Sequence, residues 1–273
     1  MSVATRTLGT MATLPNPLPS LAASGLQLPP GSLVDATIDG TWHEPLLWYT
    51  DAPVVPGDWS RLRAAGRPLG LLPVLIDGGR RDAWPEDWDL VPEDTSYPGD
   101  HDADEVLANY WAECAPEELD AAHAEWPGLA PAPGAPSAQS PDGLAAEMAD
   151  MCTGPEGWFP SVRAALVPAR RSADILAAIG WSGPLNYEND VARLSAVLRS
   201  WEDRYDIRVL MLGFDTLTVT VGRPPTTLDE ARALAAEHFA FCPDNINQNP
   251  PYDLDDYARS NLLDQSTWSF WWD

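Results

Sequence analysis

Between residues 268 and 272 the chain carries three tryptophans and a phenylalanine, in the order Trp268-Ser269-Phe270-Trp271-Trp272. Burying one such ring is favourable by roughly 1.5–3 kcal/mol, so a segment this aromatic is expected to be a packed strand and not a solvated tail. The run leading into it, from Arg223, holds a Pro-Pro turn, a helix with Glu237-His238, and Phe241-Cys242-Pro243-Asp244-Asn245.

The rest of the second half is written around that strand. Residues 164–169 read as a strand, and 172–179 as a short helix stopped by Gly180. Val191, Leu194, Leu198, Trp201 and Tyr205 fall on one apolar stripe, which predicts a helix over 189–205. Strands at 207–213 and 216–221 follow around a tight turn at Phe214-Asp215, with Leu217, Val219 and Val221 alternating toward a buried face. Thr227-Leu228-Asp229-Glu230 is a capping box that opens a helix running to about Phe241, where Pro243 prevents continuation. A further helix at 253–263 precedes the last strand. The order strand, helix, strand, strand, helix, strand predicts an α+β domain of the ferredoxin-like (βαββαβ) kind.

The first half is less regular. Residues 1–31 carry five prolines and read as poorly ordered. Residues 32–126 read as a smaller α+β region, with strands at 33–38, 45–49 and 69–76 and helices at 58–65 and 102–114. Residues 127–143 are rich in Pro, Ala, Gly and Ser and are expected to be a linker. A C-terminal domain over 144–273 follows, opening with a short helix at 144–151.

Charge narrows the partners. The 273 residues hold 16 basic groups, all arginine, against 41 acidic ones, for a net charge of −25. Residues 1–157 contribute six arginines against 25 acids, and residues 158–273 ten against 16. Such a surface repels nucleic-acid backbones and anionic membranes, leaving a basic protein as the complementary partner. Cys114, Cys152 and Cys242 are widely spaced and odd in number, which fits a reducing cytoplasm. Met1 to Leu14 lack the apolar core of a signal peptide, no later run approaches the ~18 apolar residues of a membrane helix, and Met11 is a possible alternative start.

Chemistry-bearing residues crowd into one place. Glu237, His238, Cys242 and Asp244, with Asp215, could form a Cys–His pair, a carboxylate cluster or part of a metal site. Against this, a helix C-terminus raises a thiol's pKa, and His43, His101 and His123 lie in the other half. Spacing from Ala231, Leu234 and Ala235 puts His238 on the apolar side, and Asp215 and Asp244 suit turn and helix-end roles. The acidic runs at 86–89 and 100–105 lack the Gly and bidentate Glu of a calcium loop. Phosphate-loop, dinucleotide, Gly-x-Ser-x-Gly and His-Glu-x-x-His patterns are absent. No cofactor is implied. Trp42, Trp48, Trp84 and Trp88 lie in positions without helical periodicity and are the candidates for an exposed interaction surface.

Several stretches resemble the domain-of-unknown-function family 4253. They are Trp181-Ser182-Gly183-Pro184-Leu185-Asn186, Leu198-Arg199-Ser200-Trp201-Glu202-Asp203-Arg204, Leu212-Gly213-Phe214-Asp215-Thr216-Leu217 and Arg223-Pro224-Pro225. The run from Ala235 to Ile246 and the closing Phe270-Trp271-Trp272-Asp273 belong to the same resemblance, which covers about 164–273. It departs at Asn247, where similar sequences have Trp. The resemblance implies a bacterial protein and carries no reaction, cofactor or catalytic residue.

Acidity, abundant tryptophan and the lack of an assembled catalytic signature favour a non-enzymatic protein-binding or regulatory module, of the kind that neutralises a basic toxin. A hydrolase or metal-dependent enzyme built on Glu237, His238, Cys242 and Asp244 is the first alternative. A small-ligand sensor is the second.

Overall fold

Among the described residues nine strands form in chain order: β1 (Gly31–Val34), β2 (Ala36–Thr37), β3 (Gly40–Thr41), β4 (Leu47–Thr50), β5 (Leu71–Ile76), β6 (Arg163–Pro168), β7 (Ile207–Leu212), β8 (Thr216–Val221) and β9 (Thr267–Trp271). The computed structural model that gives them describes residues 16–114, 125–154, 156–159, 161–250 and 253–272. Strands β2 and β3 make a small ribbon, and the other seven make one mixed sheet in the order β1-β4-β6-β5-β7-β8-β9. All neighbours are antiparallel except β5 and β7.

Alternation along β4 and β5 divides their residues between two cores. In β4, Leu47 and Tyr49 face one core and Trp48 the other. In β5, Val74 and Ile76 join the first core while Leu71 and Leu75 join the second. Helices cover both faces. Helices α1 (Asp58–Gly66), α2 (Ala103–Cys114), α3 (Pro141–Cys152), α4 (Ile175–Ile179), α5 (Val191–Tyr205) and α6 (Leu228–Phe241) occupy the chain between strands. Two short ones follow, α7 (Asp244–Asn247) and α8 (Leu254–Tyr257), the latter running into a π-helical turn at Ala258–Leu262. Trp59 of α1 and Met148 of α3 lie over one face; Tyr110 of α2, Trp201 of α5 and Phe239 of α6 lie over the other.

Local signals in the second half match the structure closely. Thr227 and Glu230 close the capping box of α6 reciprocally. The stripe from Val191 to Tyr205 is buried along α5. Global arrangement differs from the ferredoxin-like expectation. Strand β5, from the first half, lies between β6 and β7. Since β5 is antiparallel to β6 and parallel to β7, β6 and β7 oppose one another, unlike the parallel pair of a split βαβ unit. Of the strands of the second half, β7, β8 and β9 therefore pair with one another, while β6 reaches them only through β5.

Residues 127–143 are correspondingly not a free linker between two sheets. Ala130 is buried, with its N–H on Glu237 Oε1 at 2.7 Å and its carbonyl on Arg204 at 2.7 Å. Helix α3 begins within this stretch, capped by Ser140. At the other end, a 3-10 turn at Leu18–Ala23 buries Leu18 and Leu21 in the second core, so residues 16–31 are more ordered than their prolines suggest. The possible start at Met11 lies outside the described residues.

Candidate functional site

The polar crowd on α6 is packed inside the first core. Glu237 has no exposed surface and is fully engaged: Arg204 donates two hydrogen bonds of 2.7 and 2.6 Å, Trp201 Nε1 one of 2.8 Å, and the Ala130 N–H another. A carboxylate held this way offers no lone pair to a substrate. It ties α6 to α5 and to the segment before α3.

His238 is fully buried among Trp201, Trp268, Phe270 and Tyr257, with ring centroids 4.6–5.9 Å away. Its Nδ1 meets Tyr257 Oη at 3.1 Å, while Nε2 has no partner among the described residues. Burial, and secondarily the charge of Arg204, holds its pKa well below the usual histidine value, so the ring is neutral. Cys242 is also buried, donating to the Trp271 carbonyl at 3.0 Å. Burial pushes its thiol up to about 12, which removes the thiolate a nucleophile needs.

Asp244 sits elsewhere in purpose. It begins α7 and accepts from Gln248 Nε2 at 2.9 Å. Asp215 lies in the β7–β8 turn, where its carbonyl accepts the Trp272 N–H at 3.1 Å. Among the described residues no group of three or more His, Cys, Asp or Glu side chains is placed to hold a metal ion. His123 lies outside the described residues.

The four candidate surface tryptophans separate. Trp88 has no exposed surface, and its indole N–H bonds the Ala83 carbonyl at 3.1 Å. Trp48 is buried because both faces of β4 are covered. These two are corrected from exposed to core. Trp84 is half-buried beneath the Arg163 guanidinium, 3.8 Å from its ring. Trp42 is half-buried and lines a cleft. Trp158, at 61% exposure, is the most exposed large apolar side chain among the described residues, and sequence reading passed it over.

That cleft has a volume of about 560 Å3 and lies where β4 begins, β5 begins and β6 ends. Trp42, Leu46, Leu69 and Tyr97 give it apolar walls, with Ala177 and Ala178 from α4 as a smooth side. Its polar groups are Asn16, Glu44, Thr95, Ser96, Arg170, Asp174 and Arg199, the last pairing with Asp174 at 2.5 and 3.0 Å and stacking on Tyr97 at 5.1 Å. A mostly apolar cleft of this size with a few polar and charged groups is the usual form of a small-molecule site. Its lining is drawn from positions 16 to 199, so of its residues only Trp42 was visible in advance.

The fold is thus α+β, with a candidate ligand cleft among the described residues. Residues 163–273 match the domain of unknown function DUF4253. This stretch carries β6 to β9 and α4 to α8, including the buried Trp201–Glu237–His238–Phe270 assembly. No curated protein and no solved structure matches the chain.

Proposed function

We propose that the protein is a non-catalytic, regulatory binding module whose ligand occupies the cleft beside Trp42, Leu69 and Tyr97. The observation that carries this reading is the contrast between two places. The groups with catalytic chemistry, Glu237, His238 and Cys242, are sealed in the core, whereas the open concave surface is mostly apolar with a few polar and charged groups. A cleft of about 560 Å3 suits a drug-sized organic molecule. Three free thiols, at Cys114, Cys152 and Cys242, fit residence in a reducing cytoplasm. No helix among the described residues is long and apolar enough to cross a membrane.

The test is a thermal-shift screen with small aromatic acids and amides, run beside the variant Ala178→Trp, which fills the cleft. Expected is a rise in Tm with some members of the panel that Ala178→Trp abolishes. Shifts that survive the filled cleft, or none at all, would refute the assignment.

A second reading is favoured by a separate observation. From Glu86 to Glu105 every Asp and Glu is exposed, which makes this segment the natural contact for a basic protein. Charge reversal within it, for example Asp87→Lys with Glu93→Lys, is the matching test, since salt-sensitive partner capture would vanish.

A further inference from the structure

Strand β7 starts beside β5 without pairing to it. The ladder joins Leu75 to Met211 and Ile76 to Leu212, and goes no further back. Two residues earlier Pro73 has no N–H to give, and the Val209 N–H bonds Ser172 Oγ at 2.8 Å instead. The split between the strands holds a hollow of about 110 Å3, bounded by Leu72, Pro73, Trp59 and Ser172. One water needs about 10–15 Å3 on the same measure, so the space suits a single compact group.

Its remaining wall is charged. Arg63, Arg170, Arg171 and Arg208 converge there with only Asp142 and Glu202 between them. Asp142 receives Arg63 and, at 2.8 Å, Arg208; Glu202 lies 3.4 Å from Arg208 and 3.6 Å from Arg171. Arg171 also reaches out to Asp203 at 2.6 Å. Arg170 is exposed and has no ion-pair partner among the described residues. The wall therefore carries two more guanidinium groups than carboxylates, in a chain whose net charge is −25. Arg63, Arg171 and Arg208 are engaged in ion pairs, and Arg170 is the charge left over.

Trp59 lines the hollow and is 4% exposed. Ser172 accepts from Val209 and keeps its own O–H to donate. Guanidinium forks and a hydroxyl form a donor set for an oxyanion.

We propose that this hollow is an oxyanion site that takes a phosphate group, either free or as a monoester on a small molecule. Arg170 also lines the large cleft, so a monoester can lay its organic body there. The oxyanion site stands whether or not the cleft has a ligand of its own.

The test is calorimetric titration of the full chain with inorganic phosphate and with phenyl phosphate, against sodium chloride at equal ionic strength. Binding of one phosphate per chain is expected, weakened about tenfold or more in Arg170→Met. That change removes no ion pair among the described residues, so melting without phosphate should stay close to wild type. Tighter binding of phenyl phosphate identifies the monoester, and equal or weaker binding identifies free phosphate. Phosphate behaving like chloride, or Arg170→Met binding phosphate as wild type does, would overturn the proposal.

Discussion

His238 is held neutral by its neighbours, and that has a measurable cost in acid. Its pKa in the folded chain lies well below the ordinary value near 6.5 that the unfolded chain recovers. Above pH 6.5 neither state binds the proton, and stability is unaffected. Below it the unfolded chain takes up a proton that the folded chain refuses, so stability falls as pH drops toward the folded pKa. Each unit in that window costs about 1.4 kcal/mol for one proton. The variant His238→Gln is expected to lack this component while its carboxylates titrate as before. Urea melts at pH 7, 6 and 5 would show it as a shallower slope for the variant; parallel slopes would mean that the imidazole is protonated in the native protein. The neighbouring Glu237 was legible as chemistry in the sequence, yet its partner Arg204 and the Ala130 N–H were not. Residue type reveals capacity, and only tertiary placement reveals whether that capacity is already spent.

Strand β9 shows what an element-level pattern can and cannot convey. Trp268, Phe270 and Trp272 point into the first core, where Phe270 packs on Trp201 at 5.6 Å and on Phe241 at 4.9 Å. Ser269, between them, is exposed and meets Thr218 across the pair. Phe270→Ala is therefore expected to cost about 3–5 kcal/mol, while Ser269→Ala stays within about 0.5 kcal/mol. Denaturant unfolding of both variants checks it, and comparable losses would contradict the assigned faces. Alternation in β9, the stripe of α5 and the Thr227 capping box are local signals, which explains why these elements were readable. Helix α7 was not, because Pro243 both ends α6 and stands at the start of the next helix. Trp48 misled for a related reason: its lack of helical periodicity says nothing of whether a strand is covered, and β4 is covered on both faces.

Across the whole molecule, the decisive contact is the insertion of β5 between β6 and β7. It joins positions nearly ninety residues apart on one side and more than 130 on the other, and no local pattern encodes such pairings. The stretch that matches DUF4253 begins at β6 and so excludes this strand. Residues 163–273 expressed alone are expected to lack near-UV circular dichroism and a cooperative melt. Co-expressed with residues 1–160, they should copurify as a folded complex. A cooperative transition from the shorter fragment by itself would show that β6 finds another partner.

The same insertion sets a timetable during synthesis. Strand β5 ends at Ile76 and β7 begins at Ile207, 131 residues later. At about 5–20 residues per second, one edge of β5 waits about 7–26 s on the ribosome for its neighbour. Leu-Leu-Pro-Val-Leu-Ile is uncharged and strongly apolar, the composition that invites pairing with a nascent neighbour, except for the proline at its third position. Pro73 opens the arginine hollow in the finished protein, and in the unfinished one it interrupts the edge that would otherwise recruit a second chain.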